Sequence, residues 1–328
     1  MINAALIGLG WWGKNLAKAI QGNSELIQFG MAVTKEVDEA QGFAQQHGLP
    51  LSNRFEDALN NPAIQAVVLA TPHSLHADQI VAAAQAGKHV FCEKPLTLTA
   101  ADAKRAIQAC ESRGLTLAVG QNKRFWPSMV KLREVAASGV LGQILHLEGH
   151  YSNEHSTKFF SDWRDSPAES PAGGLTGTGI HIIDAFVGLA GPAVEVSAQV
   201  FNVRSGKDPR DATSVMVRFA NGVNGFFAMV RATPIFWRVH VFGDEASAEA
   251  IGENELVIRY RGGRVERFVY PSVDSVRSEL EAFARAIPEP GKTVQAYPIS
   301  LAEMGNTIAL FEAIVTSIDS QQTTGVAA

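Results

Sequence analysis

Apolar residues in the first 120 positions come in short unbroken runs, at 4–9, 26–33, 65–71, 89–93 and 115–120. Between them, at 13–21, 37–47, 76–86 and 100–113, apolar residues recur every three or four positions. Unbroken Val/Leu/Ile/Ala runs predict strands covered on both faces, and the longer period predicts amphipathic helices. Strand alternating with helix predicts a doubly wound parallel sheet built from right-handed crossover units.

After Gln121 the pattern changes. A helix is predicted at 127–138 and a strand at 143–151, followed by the stretch AGGLTGTGIHIIDAF at 172–186. Six segments then alternate apolar with polar or small residues, at 194–203, 212–220, 223–232, 237–243, 255–261 and 264–270. Asn221-Gly222, Gly243-Asp244 and Gly262-Gly263 punctuate them as hairpin turns. This half predicts an α+β domain on a large, mostly antiparallel open sheet, one face wet and one covered. Two helices follow, at 274–287 and 300–318. The change of pattern alone places one boundary, dividing the chain into 1–121 and 122–328.

Composition narrows the picture. The 328 residues suffice for about two domains of ~150 residues. An apolar share of 46% and a charged share of 19% are those of a globular protein. The net charge of −5 argues against nucleic acid or an anionic membrane as the main partner. No apolar run of about 20 residues is seen, and the start MINAALIGLG lacks a basic leader, so neither a membrane span nor a secretory signal is expected. Cys92 and Cys110 have no metal-ligand spacing and make no disulfide framework, so no metal and a cytoplasmic location are expected.

Gly8-Leu9-Gly10-Trp11-Trp12-Gly13 is a GxGxxG between a predicted strand and a predicted helix. Its glycines suit a tight turn, the close approach of a pyrophosphate, and helix–strand packing. The end of the second strand decides between the two nicotinamide dinucleotides, because an acidic residue there takes the ribose 2′-hydroxyl. Here stand Thr34 and Lys35, a hydroxyl and a cation suited to a 2′-phosphate, so NADP is favoured. NAD stays open through Glu36 or Asp38. The loops with Thr71, Pro72, His73 and His76, and with Glu93 and Lys94, each follow a parallel strand, where ligands of such sheets bind. A partly desolvated lysine there can donate to, or take a proton from, a substrate oxygen.

GLGWWG, ATPHSLH at 70–76, CEKPLTLT at 92–99, GQNKRF at 120–125, WR at 163–164 and GGLTGTGIHIID at 173–184 occur in order. Together they resemble the glucose–fructose oxidoreductase / inositol dehydrogenase / MocA-like (GFO/IDH/MocA) family, over residues 1 to about 320. The resemblance implies an N-terminal Rossmann domain, a C-terminal domain whose open sheet mediates homo-oligomerisation, and NAD(P) meeting a sugar, polyol or related compound between the domains. By match, Lys94 and His181 are the catalytic pair acting on the reacting hydroxyl or carbonyl. Asn122, Trp163 and Arg164 join the cofactor contacts. Arg124, Trp163 and Asp184 join Lys94 and His181 around the substrate. A cis Lys94–Pro95 peptide is also implied.

One position departs from the family. Where members commonly carry an aspartate one turn before the histidine, this chain has Gly177. Asp184, three residues after His181, could orient the imidazole from the same face, although the resemblance implies a structural residue there more often. The expected function is an NADP-favouring dehydrogenase or reductase of a small CH–OH compound. A nicotinamide-dependent glycosidase or lyase and a non-catalytic nicotinamide-binding sensor stay open beside it.

Overall fold

Ile2–Ile7 (β1) is buried at every position but Asn3, as a strand with neighbours on both edges and helices over both faces must be. A computed structural model describes residues 1–157, 162–203, 210–291 and 293–327 of the chain. After β1 come Trp11–Ile20 (α1), Ile27–Val33 (β2), Val37–Gln46 (α2), Leu51–Ser52 (β3), Phe55–Leu59 (α3) and Ala66–Leu69 (β4). His76–Gln85 (α4), His89–Glu93 (β5), Ala100–Glu111 (α5) and Leu117–Gly120 (β6) complete this run. All pairings are parallel, in the order β3-β2-β1-β4-β5-β6. The five predicted strands and four predicted helices are present. Only β3 and α3, too short to show a period, were not legible.

The chain divides into two units. The second begins at Lys123 and contains Pro127–Ala137 (α6), Ile144–Asn153 (β7) and Ile180–Ala190 (α7). A π-helical turn, Leu175–Gly179, leads into α7. Ala193–Asn202 (β8), Arg210–Phe219 (β9), Asn224–Arg231 (β10), Phe236–Gly243 (β11), Ala246–Ile251 (β12), Glu255–Tyr260 (β13) and Val265–Val269 (β14) follow, with turns at the three predicted glycine sites. β7 and β10 pair in parallel, inside an otherwise antiparallel sheet. Gly149 on β7 and Gly225 on β10 admit α7 closely: a Cβ at either would lie 2.9 Å from Phe186 ring atoms.

Ser275–Ala286 (α8) belongs to the first unit, with the whole of Asp274–Leu301. Its Leu280, Phe283 and Ala284 join Ile2, Ile27, Phe29 and Phe91 in one core, and the Phe91 and Phe283 rings meet edge to face at 5.8 Å. The single boundary read from the sequence is the first of three crossings between the units. It falls one residue from the observed crossing at Asn122/Lys123, and it misassigns α8, because an apolar stripe does not say which sheet it covers.

Leu301–Ser320 (α9) and Thr324–Gly325 (β15) close the second unit's nine-stranded sheet, in the order β14-β13-β12-β11-β7-β10-β9-β8-β15. Contrary to expectation, α9 is long and apolar enough to cross a bilayer. Met304, Ile308, Phe311 and Ile314 are nevertheless buried within the fold, and Glu303, Glu312 and Asp319 punctuate the helix.

Candidate active site

Each glycine of the first motif has a distinct task. Gly8 takes φ +95°, and a Cβ there would lie 2.5 Å from the Ala70 carbonyl oxygen, so the turn presses on the end of β4. At Gly13 a Cβ would collide with the Gly8 carbonyl at 1.9 Å, which lets α1 seat against β1. Gly10, the N-cap of α1, faces open space, and the first turn of α1 carries no acidic residue. A helix start with a glycine N-cap and no acidic residue in its first turn fits a dinucleotide pyrophosphate. Trp11 is half exposed, and the indole N–H of Trp12 is buried without an acceptor among the described residues. At the end of β2 the buried Thr34 hydroxyl donates to the Glu36 carboxylate at 3.0 Å, while Lys35 is exposed.

The loops after β4 and β5 are bound to each other. His76 opens α4 fully buried, with Nδ1 2.9 Å from the Pro95 carbonyl and Nε2 3.1 Å from that of Thr71. Both ring nitrogens face backbone carbonyls, and the neutral ring donates to one of them, while only the imidazolium donates to both. The Thr71 hydroxyl donates to Gln79 at 2.6 Å, and His73 is buried 5.8 Å from the His76 ring. The Lys94–Pro95 peptide is cis. Glu93 is buried, and its Oε2 accepts the Lys94 backbone N–H at 3.3 Å. Gly120 gives it room: a Cβ there would lie 2.8 Å from Glu93 Oε1. Lys94 itself is half-buried. Asn122 donates its side-chain N–H to Ser275 at 3.3 Å.

In the second unit two expected substrate residues are engaged with each other. Arg124 Nε donates to Asp184 Oδ2 at 2.5 Å, its Nη2 to Oδ1 at 3.1 Å, and its Nη1 to Glu303 at 3.1 Å. Both partners of the first pair are almost fully buried. Gly188 makes the room, since a Cβ there would lie 2.1 Å from the guanidinium. Burial raises the Asp184 carboxyl above its ordinary range, against the pull of Arg124. Asp184 thus neutralises Arg124, and the orienting and substrate-binding tasks expected of the two do not fit this geometry.

His181, in the first turn of α7, is 7% exposed, and its ring lies 6.4 Å from that of Tyr151. Tyr151 also borders a lysine that the sequence reading missed. Lys123 is 8% exposed, with its ammonium 3.7 Å from the Trp126 ring centre, 4.6 Å from Tyr151 and 5.5 Å from Trp237. Three residues far apart in sequence build that cage, so no local spacing announces it. Burial pushes the Tyr151 phenol up to about 12. Among the described residues, a Cβ on Gly177 would touch nothing within 4 Å. Trp163 and Arg164 stack on each other at 4.4 Å, both half-buried.

A dinucleotide-type loop beside a lysine-bearing strand end defines a nucleotide-dependent enzyme scaffold, and known proteins narrow the class. The family model described as GFO_IDH_MocA, oxidoreductase family with an NAD-binding Rossmann fold, matches residues 2–121, and the GFO/IDH/MocA C-terminal domain matches 129–249. The chain belongs to the GFO/IDH/MocA oxidoreductase family. Levoglucosan dehydrogenase of Pseudarthrobacter phenanthrenivorans is 30% identical over 257 residues, 68% of this chain and 66% of that one. The NADP(+)-dependent scyllo-inositol 2-dehydrogenase IolW of Bacillus subtilis is 31% identical over 159 residues, 48% and 44% of the two chains. An uncharacterized oxidoreductase of Schizosaccharomyces pombe is 34% identical over 147 residues, so the match spans 39% of that relative's length and 44% of this chain. The structure of a levoglucosan dehydrogenase complexed with NADH and L-sorbose shares the fold, with a TM-score of 0.86 at 24% identity over 99% of each chain.

Asp184→Asn tests the structural assignment of the buried pair. It strands a buried guanidinium with Glu303 alone, and denaturant unfolding should show a loss of about 3 kcal/mol or more. Unchanged stability with turnover abolished would return Asp184 to the substrate.

Proposed function

We propose that the protein transfers a hydride between a nicotinamide dinucleotide and a hydroxyl- or carbonyl-bearing carbon of a small sugar- or polyol-derived compound. The observation that carries this reading is the pairing of two features along the carboxyl edge of one parallel sheet. The open Gly10 helix start follows β1, and Lys94, in its cis turn, follows β5. Two relatives whose names specify polyhydroxy substrates support the substrate class. When bound, the nicotinamide supplies or accepts the hydride. Gly8, Gly10, Gly13, Trp11 and Trp12 hold the pyrophosphate side. Thr71, Pro72, His73, Glu93 and Asn122 line the nicotinamide side.

Lys94 donates a hydrogen bond to the substrate oxygen when protonated and takes its proton when neutral. His181 is the hydrogen-bond partner or proton relay, and Trp163 and Arg164 shape the pocket. The free, buried thiols of Cys92 and Cys110 support a reducing, cytoplasmic setting. Met216, Phe226 and Phe236 are exposed on the second unit's sheet, where Phe226 pairs with Met216 across β9 and β10. We assign that surface to homo-oligomer formation, and a solution mass of one chain by light scattering would remove the assignment.

Lys94→Ala should lower kcat about 10²–10⁴-fold, and more than His181→Ala does. Gly177→Asp sets a carboxylate one turn before His181, which stabilises the imidazolium and should move the acidic limb of the pH–rate profile upward. A polyol and sugar panel followed at the reduced-cofactor absorbance checks these outcomes. A more damaging His181→Ala, or an unmoved limb, contradicts the division of labour. Cofactor binding without net turnover on the panel would favour the sensor or the transient-redox lyase.

NADP is the proposed cofactor, on the hydroxyl and cation of Thr34 and Lys35. The Thr34–Glu36 hydrogen bond favours the second reading, NAD, because it holds a carboxylate at the end of β2. Calorimetric titration decides between them. Lys35→Ala should weaken NADPH binding about tenfold and leave NADH binding unchanged. Tighter NADH binding by the wild type, or an equal loss of both, would assign NAD.

A further inference from the structure

The apolar stripe of α8 is interrupted by an acid. Val276, Leu280, Phe283 and Ile287 pack on the first unit's core, and Glu279, on the same stripe, is 0% exposed. Neither of its carboxyl oxygens has a hydrogen-bond donor within reach among the described residues. A buried carboxylate without donors is among the most expensive groups a core can hold. The position in the fold shows what Glu279 faces. Phe91 on β5 meets Phe283 on α8. Two residues further along the strand, about 6.6 Å on and on the same face, stands Glu93. One turn back along the helix, about 6 Å, stands Glu279. Ser275 at the start of α8 accepts from Asn122 past the end of β6, and Ala286 at its end accepts from Thr116 before β6 begins, so α8 runs opposite to β5 and brings the two carboxyl groups toward each other.

Two like charges in one dry pocket cannot both persist. Burial drives the Glu279 carboxyl well above its ordinary range, Glu93 and Asp274 push it further, and Lys94 opposes them. Two other cations of this unit, Lys14 and Lys18 on the neighbouring α1, lie over the Phe43 ring. Glu93, in contrast, already accepts the Lys94 backbone N–H, as a carboxylate does.

We propose that Glu279 is a positioning residue for Lys94, a neutral carboxylic acid that donates its proton in a hydrogen bond to the Glu93 carboxylate and so fixes the turn presenting the lysine. The inference rests on the dehydrogenase reading of Lys94. A plain core residue at 279 would need no donor. A donor to Glu93 must be one, and glutamine can replace it while leucine cannot.

Infrared difference spectroscopy of the cofactor-free protein at neutral pH tests the proton directly. The wild type should show a protonated-carboxyl C=O band that disappears in Glu279→Gln. Kinetics test the consequence. Glu279→Gln, whose amide N–H still donates, should keep kcat within about threefold, and Glu279→Leu should lower it about tenfold or more with KM changed less than about twofold. Because the amide cannot ionise, the alkaline limb of the kcat profile should move upward in Glu279→Gln. Absence of the band, its persistence in Glu279→Gln, or equal damage by glutamine and leucine would overturn the proposal. If Glu279→Leu does not fold, the infrared band and the Glu279→Gln pH profile decide. If no substrate on the panel turns over, the band still decides the protonation of Glu279, and only the dehydrogenase reading fails.

Discussion

One buried imidazole ties two strand ends together, and the edge of the first sheet depends on it. Past Leu69 and Glu93 the chain has left the sheet ladder, so its buried carbonyls need donors from elsewhere. His76 stands between those of Thr71 and Pro95, donating to one of them as the neutral ring and to both only as imidazolium. The same edge is locked on either side. The Gly8 turn presses on Ala70 next to Thr71, and the Glu93 carboxylate fills the space over Gly120. Phosphate loop, histidine bridge, lysine turn and the end of β6 form one continuous series of contacts across β1, β4, β5 and β6. The role proposed for Lys94 calls for such a rigid support, because small displacements of a catalytic group cost large factors in rate.

The second unit spends its buried charges differently. Arg124 is paired with buried Asp184 and with the partly buried Glu303, and Lys123 is held by aromatic faces. Removing one partner of such a buried set is destabilising even where the intact set contributes little. That asymmetry accounts for the glycine at 188, whose bare Cα is the space the guanidinium occupies. His181 sits on the same helix as Asp184, so the ion pair that anchors α7 also fixes the height at which the imidazole stands.

Much of this was legible in the sequence. Unbroken apolar runs marked the parallel strands, and three glycine pairs marked the hairpins of the open sheet. The GxGxxG context placed the helix start that the structure leaves open at Gly10. What was not legible depended on long-range packing. The stripe on α8 showed a helix but not that it covers the first sheet, so the domain boundary came out as a single cut. Motif matching placed His76, Arg124 and Asp184 at ligands, whereas their hydrogen bonds go to backbone and to each other. Glu279 did leave a trace, an acid inside an apolar stripe, whose meaning needed the register between α8 and β5.

In the proposed dehydrogenase the locked edge aims Lys94, and His76→Phe probes this by keeping the ring volume while removing both ring nitrogens. Steady-state kinetics should show kcat falling about 10–100-fold, with the calorimetric Kd for the reduced cofactor unchanged within about threefold. Weakened cofactor binding with kcat retained would contradict it, making His76 a direct cofactor contact and leaving Lys94 to be positioned by other means.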